Sequence, residues 1–154
     1  MLFFWLGSSS VFVVTFLVLL NNQANLSQAP GYKLRLKTFL TTHQAEINRD
    51  PFLPELRSPQ FQLTQAQLFE KLPAIIESLG WKIELTDSTN YLLEAVVATP
   101  LLGFKDDVDI SILSDGAGSY LYANSRSRVG RADFAANSHH LQMLLQQIRK
   151  QGLQ

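Results

Sequence analysis

The stretch DVDISILSDGAGSYLYANSR, residues 107–126, restricts the fold more than any other part of this chain. Val108, Ile110 and Ile112 alternate with Asp107, Asp109 and Ser111, so one face of the segment is apolar and the other wet, as in an antiparallel sheet. SDGAG supplies the turn, and SYLYANSR returns as the second strand of a hairpin. With Ile112 opposite Leu121, Ile110 meets Ala123 and Val108 meets Ser125 on the buried face. Asp107 then faces Arg126 on the other.

The flanking segments extend the hairpin into a domain. Thr64 with Gln67 has the form of a capping box, and Leu63 with Leu68 that of a hydrophobic staple. Leu68, Leu72, Ile75, Ile76 and Leu79 recur at helical spacing and Gly80 follows, which predicts a helix over about residues 65–79, bent at Pro73. WKIELTD alternates on Trp81, Ile83 and Leu85, residues 87–90 turn, and YLLEAVVA returns. A final helix is expected from near Asp133, showing Phe134, Leu141, Leu144, Leu145 and Ile148 to the sheet. The expected fold class is α+β: two layers, an antiparallel sheet of about four strands covered by two helices, preceded by an N-terminal membrane helix.

That membrane helix is read from MLFFWLGSSSVFVVTFLVLL, residues 1–20, where no residue is charged and twenty residues at the helical rise span about 30 Å. The expectation is a retained single-span anchor. A cleaved signal segment is the alternative, because Val11–Leu20 has the length of an h-region and Ser27 with Ala29 forms a small-x-small pair. Cleavage would make the domain secreted or lumenal. Lys33, Arg35 and Lys37 lie where the positive-inside rule counts, yet the side of the membrane stays open, since long domains translocate regardless of charge. Residues 21–31 read as a polar tether. Residues 32–63 read as a helix, with Tyr32, Leu36, Phe39, Leu40 and Ile47 on one face although KLRLK also alternates, followed by the Pro-rich connector DPFLPELRSP. The α+β domain proper is expected over residues 64–151.

Composition narrows the function. Thirteen basic and thirteen acidic residues leave no net charge, so no nucleic-acid partner is expected and any electrostatic recognition must be local. With no cysteine there is neither a disulfide nor a thiol nucleophile. Local charge gathers where the hairpin ends meet: FKDD and SRSRVGR bring Lys105, Asp106, Asp107, Arg126, Arg128 and Arg131 to one edge. Gly130 turns the chain there, and Asp133 caps the last helix. Those guanidinium groups beside a helix N-terminus suit a small anion or a partner protein. The competing reading is that Asp106, Asp107 and Asp133 fill the guanidinium forks and lock the hairpin to the helix. Asn137 is expected as a buried amide bonding a strand backbone, with ligand contact as the alternative.

His139 and His140 point about 100° apart on a helix and cannot chelate one ion together, so they read as solvated. Asp107 and Asp109 share a strand face, a weak oxygen-ligand pattern, and no metal site is assigned. Tyr120 and Tyr122 read as cross-strand packing, with an apolar pocket as the alternative. No nucleophile elbow, phosphate loop or zincin pattern occurs, so no catalytic residue and no cofactor is expected.

PELRSPQF, GWKI, TPLLGFKDDVDI and above all SRSRVGRADFAAN resemble the signature segments of the domain-of-unknown-function family numbered 1499, from about Pro54 to Ile148. The resemblance implies a small domain often placed behind a membrane segment. Many relatives begin with a cysteine-containing segment that this chain lacks. Three function classes follow: a membrane-tethered, non-enzymatic domain binding a partner or small anion at the arginine edge, a carrier of a lipid or other apolar molecule, and an enzyme of unassigned reaction.

Overall fold

The computed structural model describes residues 3–99, 103–116 and 118–153, with side chains described from residue 12 onward. Helix α1 spans Phe3–Asn21 and α2 Tyr32–Thr41; strand β1 is Gln44–Ile47, and a single 3-10 turn, Pro54–Leu56, precedes β2, Gln60–Phe61. Helix α3, Gln65–Ser78, leads to β3 (Lys82–Asp87), β4 (Leu92–Ala98), β5 (Lys105–Ser114) and β6 (Ser119–Ser127), and α4, Ala136–Lys150, ends the domain. The sheet is antiparallel with the order β1-β6-β5-β4-β3, and β2 also pairs with β6. Helices α3 and α4 cover one face, where Leu68, Leu72, Ile75, Ile76, Leu141, Leu144, Leu145 and Ile148 pack against Leu93, Val108, Ile110, Ile112, Leu121 and Ala123.

The hairpin register is the expected one: Ile112 pairs with Leu121, Ile110 with Ala123, Val108 with Ser125 and Asp107 with Arg126. Helix α3 begins with the capping box. The Gln67 amide donates to Thr64 Oγ1 at 3.3 Å, the Thr64 amide donates to Gln67 Oε1 at 2.9 Å, and Pro73 lies within the helix. Gly118 at the end of the hairpin turn is required by close approach, since a Cβ there would stand 2.0 Å from the Phe61 carbonyl oxygen of β2.

The sheet has six strands rather than about four, because the region read as helix and connector supplies two. The helix expected through Ile47 stops at Thr41; β1 follows, pairs Gln44–Ile47 with Arg126–Ala123 and buries Ile47 completely. Within the connector Leu53 and Leu56 are buried. The last helix begins at Ala136 rather than near Asp133, because Phe134 and Ala135 adopt left-handed backbone angles (φ 50° and 71°) that no helix continues through. The membrane span expected over residues 1–20 falls partly on residues 1–2 and the side chains of 3–11, outside the description. Among the described residues no helix is long and apolar enough to cross a membrane.

Residues 21–31, read as a tether, are fastened to the domain chiefly by Arg35, and Ala24 and Leu26 pack against the domain's core. Arg35 of α2 is fully buried, and its Nε, Nη1 and Nη2 donate to the Gln28, Ala29 and Asn25 carbonyls and to both oxygens of Glu55 at 2.6–3.2 Å. A planar fork with five donors can close such a ring where a lysine cannot. The Phe134 backbone joins the same region. It accepts from Asn22 Nδ2 at 2.9 Å and donates to the Phe39 carbonyl at 3.1 Å, tying the end of α1 to α2.

Candidate functional site

The alternation that buries Val108, Ile110 and Ile112 sends Asp107 and Asp109 to the uncovered face of the sheet, where β6 presents Arg126 and Arg128 follows just beyond its end. Arg128 donates from Nε and Nη2 to Asp107 Oδ1 at 2.8 and 2.7 Å, with Glu84 Oε2 at 3.7 Å. Arg126, although opposite Asp107 in register, reaches diagonally to Asp109 Oδ2 at 3.5 Å. Glu84 and Glu94 complete a shallow hollow of ≈ 270 Å³ that Val96 floors. Asp107 raises the pKa of Arg128 further, chiefly by accepting its hydrogen bonds. Four carboxylates stand around two guanidinium groups in the hollow, and Lys82 Nζ lies 3.2 Å from Glu84 Oε1 at its border.

Asp106, Asp133 and Asn137 belong to a different environment. Asp106 sits one residue out of phase with Asp107, so it points under the sheet and is 1% exposed; it does not join the arginine edge. There Asn137 is the hub of a buried polar knot. Its Nδ2 donates to the His43 carbonyl at 2.9 Å and to Ser127 Oγ at 3.0 Å, and Ser125 Oγ donates to its Oδ1 at 2.6 Å. Asp133 stays clear of the arginines and accepts from the Ala135 and Asn137 amides at 3.0 Å each, which holds the two left-handed residues in place and covers the first donors of α4. Burial raises the Asp133 pKa above the usual carboxylate range.

His140 corrects the reading of a solvated pair. It is 6% exposed, edge-on to Trp81 with ring centroids 6.2 Å apart, while His139 is half-buried. Its Nδ1 stands 3.6 Å from Asp106 Oδ2, and neither atom has a hydrogen-bond partner among the described residues. Burial, with help from His139, lowers His140 to about 4, so the ring is neutral at physiological pH. Burial also raises Asp106, against a stabilising hydrogen bond from Ser127 and with repulsion from Asp107 added. A signal for His140 existed: it lies three residues after Asn137 and four before Leu144, on the buried stripe of α4.

Lys105 and Arg131 remain at the exposed end of the hairpin, and no ion pair involves either among the described residues. The six residues expected at one edge, with Asp133 and Asn137, thus fall into three groups: Asp107, Arg126 and Arg128 on the open face, Asp106, Asp133 and Asn137 beneath it, and Lys105 and Arg131 at the rim. Sequence reasoning missed Glu84 and Glu94, which reach the hollow only because β3 and β4 extend the sheet. It also missed Ser125, Ser127 and His140. Among the described residues no cluster of three or more His, Cys, Asp or Glu side chains could hold a metal, and Asp107 and Asp109 are both engaged by arginines. Tyr120 lies under the Arg49 guanidinium at 3.9 Å, and burial together with Glu46 and Asp109 raises Tyr122.

The molecule is thus an α+β domain with a half-covered antiparallel sheet, closed at one end by a polar knot built from the segment RADFAAN. The family described as "Protein of unknown function (DUF1499)" matches residues 25–148, and the chain belongs to that family. The matched region begins in the segment that Arg35 fastens and ends at Ile148, the last buried residue of α4. No curated protein matches the chain.

Proposed function

We propose that this is a membrane-tethered domain without chemistry of its own, which receives a protein partner on the arginine-bearing open face of its sheet. The observation that carries the reading is the uncovered surface of α1: Phe12, Val13, Val14, Phe16, Leu17 and Leu20 are 56–75% exposed beside a domain whose own core is closed. Apolar side chains so concentrated on one helix suit lipid. A protein is favoured over a small anion because Arg126 and Arg128 already meet carboxylates, whereas a folded partner can complement a mixed lattice of both charges. Asp106 and His140 supply titratable groups, but both lie beneath the sheet, out of a substrate's reach.

The test has two arms. Full-length protein is expected to stay with membranes through a carbonate wash, and a variant lacking residues 1–20 to leave them; recovery of a natural soluble form starting near Pro30 would replace the tether by a cleaved segment. Inorganic phosphate or citrate is expected to leave the melting temperature of wild type and of Arg128→Ala equally unmoved. An anion-dependent gain that Arg128→Ala abolishes would restore the small-anion reading. A second reading, carriage of an apolar molecule, draws on an open groove of ≈ 370 Å³ between α2, β1 and the connector, lined by Ala45, Phe52, Leu53 and Leu56 with Thr38 and Thr42. A neutral lipid that co-purifies stoichiometrically and is lost on Phe52→Ser would favour it.

A further inference from the structure

The exposed apolar side chains are unevenly distributed. Of the fifteen large ones among the described residues, six lie on α1 and three, Tyr32, Leu34 and Leu40, on α2. Helix α2 is short, and its two faces differ sharply. Arg35 and Phe39 turn inward and are buried, while Lys33, Leu34, Lys37 and Leu40, at helical spacing, form an outward stripe headed by Tyr32. The helix contains no acidic residue, and no carboxylate pairs with Lys33 or Lys37 among the described residues. Lys33 Nζ stands 6.0 Å from the centre of the Tyr32 ring, and an apolar stripe studded with lysines that no carboxylate neutralises is the pattern that lies in a lipid interface with its stems buried and its ammonium groups at the headgroups.

The position of this stripe is not left to a loose linker. Arg35 gathers the carbonyls of Asn25, Gln28 and Ala29 and both oxygens of Glu55, and Phe134 joins Asn22 at the end of α1 to Phe39 of α2. Helix α2 is therefore fastened beside the point where α1 leaves the domain. We propose that the outer face of α2 docks on an anionic lipid surface as a second membrane contact, held in place by the Arg35 clamp. This rests on the reading of α1 as a lipid-embedded tether and adds what that reading lacks, a lipid preference and a fixed posture of the domain. The chain's zero net charge leaves no global field to do this, so the preference resides in two lysines. One apolar anchor plus a basic patch is also the pairing that converts marginal adsorption into stable attachment.

The absence of cysteine makes single-site labelling direct. The full chain is reconstituted into phosphatidylcholine vesicles, with or without phosphatidylglycerol, carrying one environment-sensitive probe at Leu34→Cys, Phe16→Cys or, on the far strand, Leu85→Cys. Iodide quenching of the Leu34 probe is expected to fall at least about twofold when phosphatidylglycerol is present, consistent with a fivefold gain in partitioning per lysine at an anionic surface. Lys33→Glu with Lys37→Glu, or added salt, should restore it, while the Leu85 probe stays quenched throughout. A probe at Leu40→Cys repeats the measurement should Leu34→Cys fold poorly. If the Phe16 probe is shielded in every vesicle but the α2 probes stay fully quenched, the docking proposal fails and the tether stands. If the Phe16 probe is itself exposed to iodide, the tether reading fails and the α2 proposal goes with it.

Discussion

Arg35 and Arg128 each bring a guanidinium nitrogen within 2.6–2.7 Å of a carboxylate, and there the likeness ends. The Arg35 side chain is 0% exposed and all of its donors serve one ring of acceptors, so losing it strands the Asn25 and Ala29 carbonyls and Glu55 away from full hydration, while the Gln28 carbonyl keeps the Gly31 amide. The Arg128 side chain is 40% exposed on an open sheet face, where water and salt replace whatever Asp107 and Glu84 offer. Three arginines crowd residues 126–131, which draws the eye to the second region; the first contains one arginine, set between Lys33 and Lys37 and read in the sequence only for its charge beside a membrane. Charge density along a sequence therefore marks where charges are displayed, and burial decides which of them holds the molecule together.

The widest gap between the two regions is expected on truncation. Arg35→Ala should lower the stability of the full chain in urea unfolding by about 3–5 kcal/mol, as for other broken buried pairs. Arg35→Ala combined with Glu55→Ala should cost less than the two single changes added together. An Arg35→Ala loss no larger than that of Arg128→Ala would erase the distinction.

Next comes the pH response of the knot beneath the open face. His140 titrates near 6.5 unfolded and near 4 folded, so between those values the unfolded chain binds a proton that the native state refuses. Stability is complete above pH 6.5 and lost as pH falls toward 4, by at most about 3 kcal/mol, and His140→Phe should flatten that slope. Asp106 acts with the opposite sign. Its raised folded pKa means that the native state holds the proton longer, so its contribution is largest below the unfolded value of 3.8 and declines as pH rises through the folded one. Asp106→Asn should remove that decline, and paired melting curves at several pH values separate the two limbs.

Asn137→Ala is expected to cost about 2 kcal/mol, since it removes the buried acceptor of the Ser125 hydroxyl and one of the two donors to the His43 carbonyl, which keeps the Ser127 amide. The smallest effect belongs to the open face. Asp107→Asn and Arg128→Gln should each move the melting temperature less than Asn137→Ala does, with a coupling that fades as ionic strength rises. A coupling indifferent to salt would mean that the open face behaves like the buried clamp.

What could be read in advance follows from the range of the interactions. The β5–β6 register and the start of α3 were legible because period-two alternation and a capping box are satisfied by residues three or fewer positions apart, or by one tight turn. Strands β1 and β2 were not, because four and two residues carry no measurable period; only β6, more than fifty residues away, makes them strands. Part of the candidate site was legible in the same way. Alternation placed Asp107 and Arg126 on one face and helical spacing put Asn137 inward, whereas Asp106 was grouped with its chain neighbours although the pleat sends it to the opposite side.

By itself, then, the sequence determined the elements whose signals are local: the central hairpin, the capped helix, the apolar stripe of α4 and the uncharged run at the start. Only the tertiary structure decided which polar groups would be deprived of water. Arg35 carries no local mark of its role, and helical spacing marks His140 only as inward-facing, because desolvation is set by what packs on a side chain from elsewhere in the chain. Arg35 becomes a clamp when residues 25–29 and Glu55 close over it, and His140 becomes neutral when burial against Trp81, with His139 beside it, strips the ring of water.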